Sequence, residues 1–315
     1  MDNHQNASDI NDIAPTSLTH LIGQASVKAQ VSVALEAAFA DHRPFDSSLL
    51  VGPPGVGKSI FASVIAAEMA SNFHEVLGQS IQRPADLNEL LLSAEDGDVI
   101  HIDEAHEMAK PYQTALYLAL DKKKILLPGT NGIGSLPIAD FTLLLSTTDE
   151  YRLLQPLRDR MRLVLRFEFY SVDELIELTR HRAAALRWDV EAEVFPLMAQ
   201  RSRGTPRLGL RLLQSCRRVC RSADETVIRL DHLERACTLE QLDALGLGPI
   251  EQQYLRHLAA GASRLNVLAS LLGLPARTVS MVTESFLMRC GLMIKDDQSK
   301  RLLTAAGREH LMSNS

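Results

Sequence analysis

No stretch of this chain stays apolar for the ~20 residues that a membrane-crossing helix requires, so no membrane partner is expected. Residues 1–12 are polar and lack the apolar centre of a secretory leader, and they are expected to form a disordered arm. Only four cysteines occur. Cys216 and Cys220 share a helical face, but no second pair or histidine cluster completes a zinc pattern. Free thiols of this kind suit the cytoplasm, which is the expected compartment. The histidines show no metal spacing, and the single tryptophan, Trp188, reads as core rather than as a platform for bases. There is no internal repeat and no low-complexity tract. What remains is a globular composition, 46% hydrophobic and 23% charged, in 315 residues, enough for two or three domains. The net charge of −6 is unevenly spread. Residues 1–170 hold 13 Lys/Arg against 22 Asp/Glu, whereas residues 247–315 hold 8 against 5, so any nucleic-acid contact is expected near the C-terminus.

Two short strings stand out. Residues 52–59 read Gly-Pro-Pro-Gly-Val-Gly-Lys-Ser, and residues 99–104 read Val-Ile-His-Ile-Asp-Glu. The first fits a phosphate-cradling loop between an apolar strand (49–51) and a helix (59–69). Its glycines let backbone N–H groups approach phosphates that a Cβ would obstruct. Gly52, Pro53, Pro54, Gly55, Val56, Gly57, Lys58, Ser59 and Ile60 are therefore candidate nucleotide contacts, with Lys58 reaching the β- and γ-phosphates and Ser59 binding Mg²⁺. The second string is a strand ending in two acids. Asp103 would hold Mg²⁺, and Glu104 would orient or activate the attacking water. The pair implies a nucleoside triphosphatase using Mg²⁺.

From residue 47 to 169 strand-like runs (49–51, 99–102, 142–146 and 163–167) alternate with helical patterns, which predicts a mostly parallel sheet covered by helices on both faces. Residues 124–127 and 136–139 flank a glycine-rich segment and read as a hairpin. After Tyr170 helical periodicity dominates to about Leu242, beginning at a capping box formed by Ser171 and Glu174. Residues 246–249 read as a linker. Beyond them, helices over 250–260, 265–272 and 276–289 precede two strand-like pieces, 292–295 and 301–304, a winged-helix pattern. The expected domains are 13–170, nucleotide-binding; 171–246, a small all-α lid; and 247–315, a winged helix.

Three further groups complete the candidate site. Thr148 follows a strand expected beside the one that carries Asp103 and Glu104, where a hydroxyl can touch the γ-phosphate or the water; an ordinary strand-end cap is the plainer reading. Arg160, in Pro156-Leu157-Arg158-Asp159-Arg160, suits a subunit interface, where an arginine supplied in trans stabilises charge on the transferred phosphoryl group. A solvated surface arginine is the alternative. Arg207 follows Pro206 at a helix start and could fold back over the nucleotide. His106, just past the acid pair, is a further candidate for sensing the γ-phosphate.

Together these strings resemble the AAA+ ATPases and, within them, the RuvB family, over about residues 13–311. The matching stretches include Leu21-Ile22-Gly23-Gln24, the two motifs, the Thr147-Thr148 strand end, 156–160, Glu168-Phe169-Tyr170 and 201–207. The resemblance implies a P-loop α/β domain followed by an all-α lid and a winged helix. It implies a hexameric ring that hydrolyses ATP to move branched, double-stranded DNA in recombination and repair. On it Thr148 corresponds to sensor one, Arg160 to the arginine finger and Arg207 to sensor two, while Ile13, Ile22, Tyr170 and Pro206 line the adenine pocket. Lys295 and Arg301 match the family's two DNA-contacting arginines of the wing, with Asp296 and Asp297 between them. The family's hairpin docks its partner RuvA; here the hairpin, within 121–140, is shorter and differs at its tip. Ala14-Pro15 stands for the family's Arg-Pro, Asp149 for an arginine, and Met161 for a phenylalanine. These departures keep a second function open: an ATP-regulated adaptor that assembles on DNA and recruits a recombination or mobile-element partner without translocating. Intact Lys58, Asp103 and Glu104 speak against a scaffold without turnover.

Overall fold

The computed structural model describes Ile10, residues 14–129 and residues 132–313. Most of the expected N-terminal arm, together with Ile13, lies outside the described residues; Ile10 is buried. Two compact units are present. One comprises Met1–Leu178 with Thr205–Arg207, and the other comprises Thr179–Gly204 with Leu208–Ser315.

In the first unit, α1 (Ala25–Ala40), β1 (Ser48–Val51), α2 (Lys58–Glu68), β2 (Phe73–Leu77), α3 (Pro84–Ser93), β3 (Val99–Asp103) and α4 (Lys110–Lys122) precede a hairpin, β4 (Lys124–Gly129) and β5 (Gly132–Pro137). Then come β6 (Thr142–Thr147), α5 (Gln155–Arg158) and β7 (Leu163–Arg166). The sheet order is β2-β3-β6-β1-β7, and every pairing in it is parallel. Helices on both faces leave no wet side, which is why β6 is buried at every position and reads as an unbroken apolar run. Leu49, Ile100, Ile102, Leu143 and Leu145 form one core with Leu87 and Leu91 of α3 and Leu116 of α4. The hairpin ladder runs from Lys124↔Pro137 to Gly129↔Gly132, so Pro128, Gly129 and residues 132–135, read from the sequence as loop, belong to the strands. Thr130 and Asn131 at its tip lie outside the described residues.

The second unit is mainly helical. It contains α6 (Val172–Ala185, whose first half belongs to the first unit), α7 (Val194–Arg201), α8 (Pro206–Ser222, whose first two residues belong to the first unit) and α9 (Leu230–Leu239). Between them, β8 (Asp189–Val190) and β9 (Val227–Ile228) pair in parallel, so the lid is helical apart from one two-residue ladder. The predicted capping box starts α6: the Ser171 backbone N–H donates to the Glu174 carboxylate at 2.8 Å, and the Glu174 N–H donates to Ser171 Oγ at 3.1 Å. The chain ends in α10 (Pro249–Ala259), α11 (Leu265–Leu272), α12 (Ala276–Thr278), a π-helical segment (Val279–Glu284), α13 (Ser285–Arg289), β10 (Met293–Lys295), β11 (Arg301–Leu303) and α14 (Ala305–Ser313). Leu255, Leu268, Val279, Leu287 and Leu303 make its core. Among the described residues no single helix is long and apolar enough to cross a membrane.

Candidate active site

The phosphate-side candidates emerge at the C-terminal ends of the adjacent parallel strands β1, β6 and β3. The phosphate loop leaves β1 and enters α2 through Gly57, whose φ of +96° is a left-handed conformation that side chains disfavour. Val56 is buried, and so is Lys58, at 6% exposure. The Lys58 ammonium donates to the Gly52 and Pro53 carbonyls, both at 2.9 Å. Burial lowers its pKa from the ordinary lysine value, opposed by the nearby Glu104 and Asp103 carboxylates and assisted by Arg207.

Two strands along from β1, Asp103 ends β3. Its Oδ2 accepts from Ser59 Oγ at 3.3 Å, and its Oδ1 accepts from the Glu104 backbone N–H at 3.0 Å. Glu104 is left-handed, with φ of +46°, a conformation that costs a non-glycine residue about 1–2 kcal/mol and turns the chain sharply at the strand end. Because β6 lies between β1 and β3, Thr148 emerges beside these acids, and its hydroxyl donates to Glu104 Oε2 at 3.2 Å. Ser59, Asp103, Glu104 and Thr148 thus form one chain of polar contacts across three strand ends. The Ser59 hydroxyl and Asp103 carboxylate are hard oxygen donors of the kind Mg²⁺ takes. Among the described residues no group of three His, Cys, Asp or Glu could hold a metal unaided.

Of the residues expected to line an adenine pocket, Ile22 is half-buried and Pro206 buried. Gln24 follows them with a clamp that its place in the Gly-Gln string only hinted at: its Nε2 donates to the Glu168 carbonyl at 2.7 Å, and the Glu168 N–H donates to its Oε1 at 3.1 Å. Tyr170 is buried, and burial pushes its hydroxyl pKa up to about 12. Its ring sits where a Gly23 side chain would be: a Cβ there would lie 2.5 Å from Tyr170 Cε1, at a φ of +74°. Gly23→Ala is therefore expected to displace the ring and raise the Kd for ATP about tenfold, an effect of about 1.4 kcal/mol. Titration with a fluorescent ATP analogue checks this, and a parental Kd would overturn it. The Arg207 side chain is exposed, and its backbone N–H donates to the Gly55 carbonyl at 3.4 Å.

Arg160 lies on the surface away from these contacts. Its guanidinium is bound to the Asp121 carboxylate, with Nε at 2.6 Å, and to the Pro156 carbonyl, and it lies over the Tyr117 ring at 4.8 Å. Arg301 is one of the two expected DNA contacts of the wing. Arg301 is 7% exposed, and its Nε and Nη2 donate to the fully buried Glu284 at 2.8 and 3.1 Å. Lys295 also turns to that carboxylate, at 3.0 Å. Both matching cations of the wing pair with one buried acid, Arg301 from inside and Lys295 from the surface.

A parallel sheet of this order, with its phosphate loop on one strand and its acid pair two strands away, is the nucleotide-binding core of the AAA+ class, and the chain is an ATPase of that class. Three family models match along its length: the Holliday junction DNA helicase RuvB P-loop domain over residues 13–167, the RuvB AAA lid domain over 170–243, and the RuvB C-terminal winged helix domain over 244–312. The Holliday junction branch migration complex subunit RuvB of Pseudothermotoga lettingae is 33% identical over 98% of this chain and 92% of its own length. That of Thermotoga maritima is 33% identical over 96% and 93%. The solved Thermotoga maritima RuvB Holliday junction branch migration motor aligns with a TM-score of 0.84 at 33% identity, covering 95% of this chain and 97% of that one. The chain belongs to the RuvB family.

Proposed function

We propose that this chain is a ring-forming motor that couples ATP hydrolysis to the movement of branched duplex DNA, acting at Holliday junctions, after which its relatives are named. The observation that carries the reading is the contact chain Ser59–Asp103 and Glu104–Thr148 beside a buried Lys58. In this reading Lys58 binds the β- and γ-phosphates, and Ser59 and Asp103 hold Mg²⁺, which when bound neutralises phosphate charge. Glu104 orients the attacking water and takes its proton, with Thr148 keeping that carboxylate aimed. Arg207 senses the nucleotide, and Ile22, Tyr170 and Pro206, with Ile13, hold the adenine. Arg160 serves the site of a neighbouring subunit in a hexamer. The hairpin β4–β5 docks a RuvA-like or other recombination protein. The four free cysteines suit a cytoplasmic setting.

Glu104→Gln is expected to lower ATP hydrolysis at least about a hundredfold, the share typical of a lost general base, while leaving ATP affinity within about threefold. Turnover and ATP titration check this, and parental turnover would remove the reading. The capture of Lys295 and Arg301 by Glu284 favours one second reading, the adaptor that assembles on DNA without moving it. Junction migration by the purified protein with ATP would eliminate it.

A further inference from the structure

We propose that His106 is a positioning residue for hydrolysis: it fixes the Glu104 carboxylate and ties it to the turn carrying Arg152. This deepens the reading above and rests on Glu104 orienting the water. His106 sits in the one-turn helix Ala105–Glu107 and is 7% exposed. Its Nδ1 lies 3.1 Å from Thr147 Oγ1 and 3.2 Å from Glu104 Oε2, the same oxygen that accepts from Thr148. Its Nε2 lies 3.0 Å from Glu107 Oε1, which in turn accepts from Arg152 Nη1 at 2.6 Å. Thr147 Oγ1 accepts from the Asp149 backbone N–H at 3.0 Å and faces Nδ1 beside Glu104 Oε2, so an Nδ1–H lies between two oxygen acceptors. Each imidazole nitrogen therefore lies within 3.2 Å of a side-chain oxygen.

A glutamate side chain has three rotatable bonds, and ordering it costs up to about 2 kcal/mol. The left-handed backbone at Glu104 aims the residue but does not fix its carboxylate; Thr148 and His106 do, from two directions. Through Glu107 the same imidazole reaches Arg152, eight positions before Arg160 on the segment that follows β6. A movement of that segment changes the hold on Glu104 without touching the phosphate loop.

The test is ATP hydrolysis and ATP affinity of the full chain with single substitutions. His106→Ala is expected to lower kcat about 10- to 100-fold, the penalty of a misplaced reacting group, with the Kd for ATP within about threefold. His106→Asn, whose amide falls near the Nδ1 position, should recover to within about fivefold of the parent; His106→Gln, whose amide falls near Nε2, should stay slow. Unchanged kcat in His106→Ala overturns the proposal. Should that variant not fold, equal rates for the Asn and Gln variants overturn it. A slow Glu104→Gln beside a fast His106→Ala sinks this inference alone, whereas a fast Glu104→Gln sinks the parent reading with it.

Discussion

Arg160→Ala is expected to lower ATP turnover about a thousandfold while ATP still binds, because an arginine supplied to a phosphoryl-transfer site is worth 10³ or more. The geometry explains why the loss should be one of chemistry rather than of affinity. Among its recorded partners, Asp121, Pro156 and Tyr117, none belongs to the phosphate loop of the same chain. Asp121 raises the guanidinium's pKa further, and Arg160 holds the Asp121 carboxyl below the usual carboxylate range. The ion pair is exposed and adds little stability, but with the Tyr117 ring it fixes the direction of a long side chain. A group so fixed on the surface can serve a site on another copy of the chain. Mixing decides it. Arg160→Ala and Glu104→Gln proteins are each expected to be nearly inactive alone. Their mixture should regain a substantial fraction of parental turnover, since some interfaces then combine an intact Glu104 with an intact Arg160. A mixture as slow as its components would place Arg160 outside the shared site.

Glu284→Gln is the second large effect. The Glu284 carboxylate is fully buried, accepts from Arg301 twice and from Tyr254 Oη at 2.9 Å, and faces Lys295. Removing its charge leaves a buried guanidinium without a counter-ion, a loss of about 3–5 kcal/mol. The C-terminal domain is then expected to melt on the order of 10 °C lower. The pH dependence follows from the same contacts. Burial pushes the Glu284 carboxyl up, but the hydrogen bonds from Arg301, Lys295 and Tyr254 outweigh it, and the pKa is lowered. Burial and the Glu284 charge raise that of Tyr254, keeping its hydroxyl a donor. A depressed carboxylate stabilises the fold above its unfolded value of about 4.3, and that contribution is lost as pH falls through the folded value. The gap between parent and Glu284→Gln should therefore be full at pH 7 and shrink below about pH 4. Thermal unfolding followed by circular dichroism measures it; a variant melting within about 2 °C of the parent at pH 7 would contradict the account.

What the residues announced and what they concealed divide along physical lines. The phosphate loop, the acid pair and the capping box at Ser171 and Glu174 are local patterns whose chemistry is set by neighbours in sequence, and the structure has each where its pattern puts it. The strand pairing of β3 with β6, which brings Thr148 to Glu104, followed from the alternation of strands and helices. Other features depend on distant partners. Phe73–Leu77 forms an edge strand that is partly exposed throughout, so it lacks the buried apolar run that marked β1, β3 and β6. The two-residue strands β8 and β9 are too short for any period to show. The pairing of Arg301 with Glu284 was not legible, because nothing in a sequence says that an acid 17 positions earlier will be buried against it. His106 gave a weak signal, its place just after the acid pair, but its three contacts are with Thr147 at the end of β6, with Glu104 at the turn after β3 and with Glu107 of its own one-turn helix.

The hairpin has a consequence of another kind. β4 and β5 pair only with each other, and among their described side chains Ile125 is the one buried in the domain core. The polar contacts that surround Lys58 and Glu104 include none from this ribbon. On the proposed docking, substitutions toward its tip change the free energy of partner binding without entering that of the site. On that reading the chain can exchange the protein it works with while its engine stays as it was, and partner choice can drift independently of motor function.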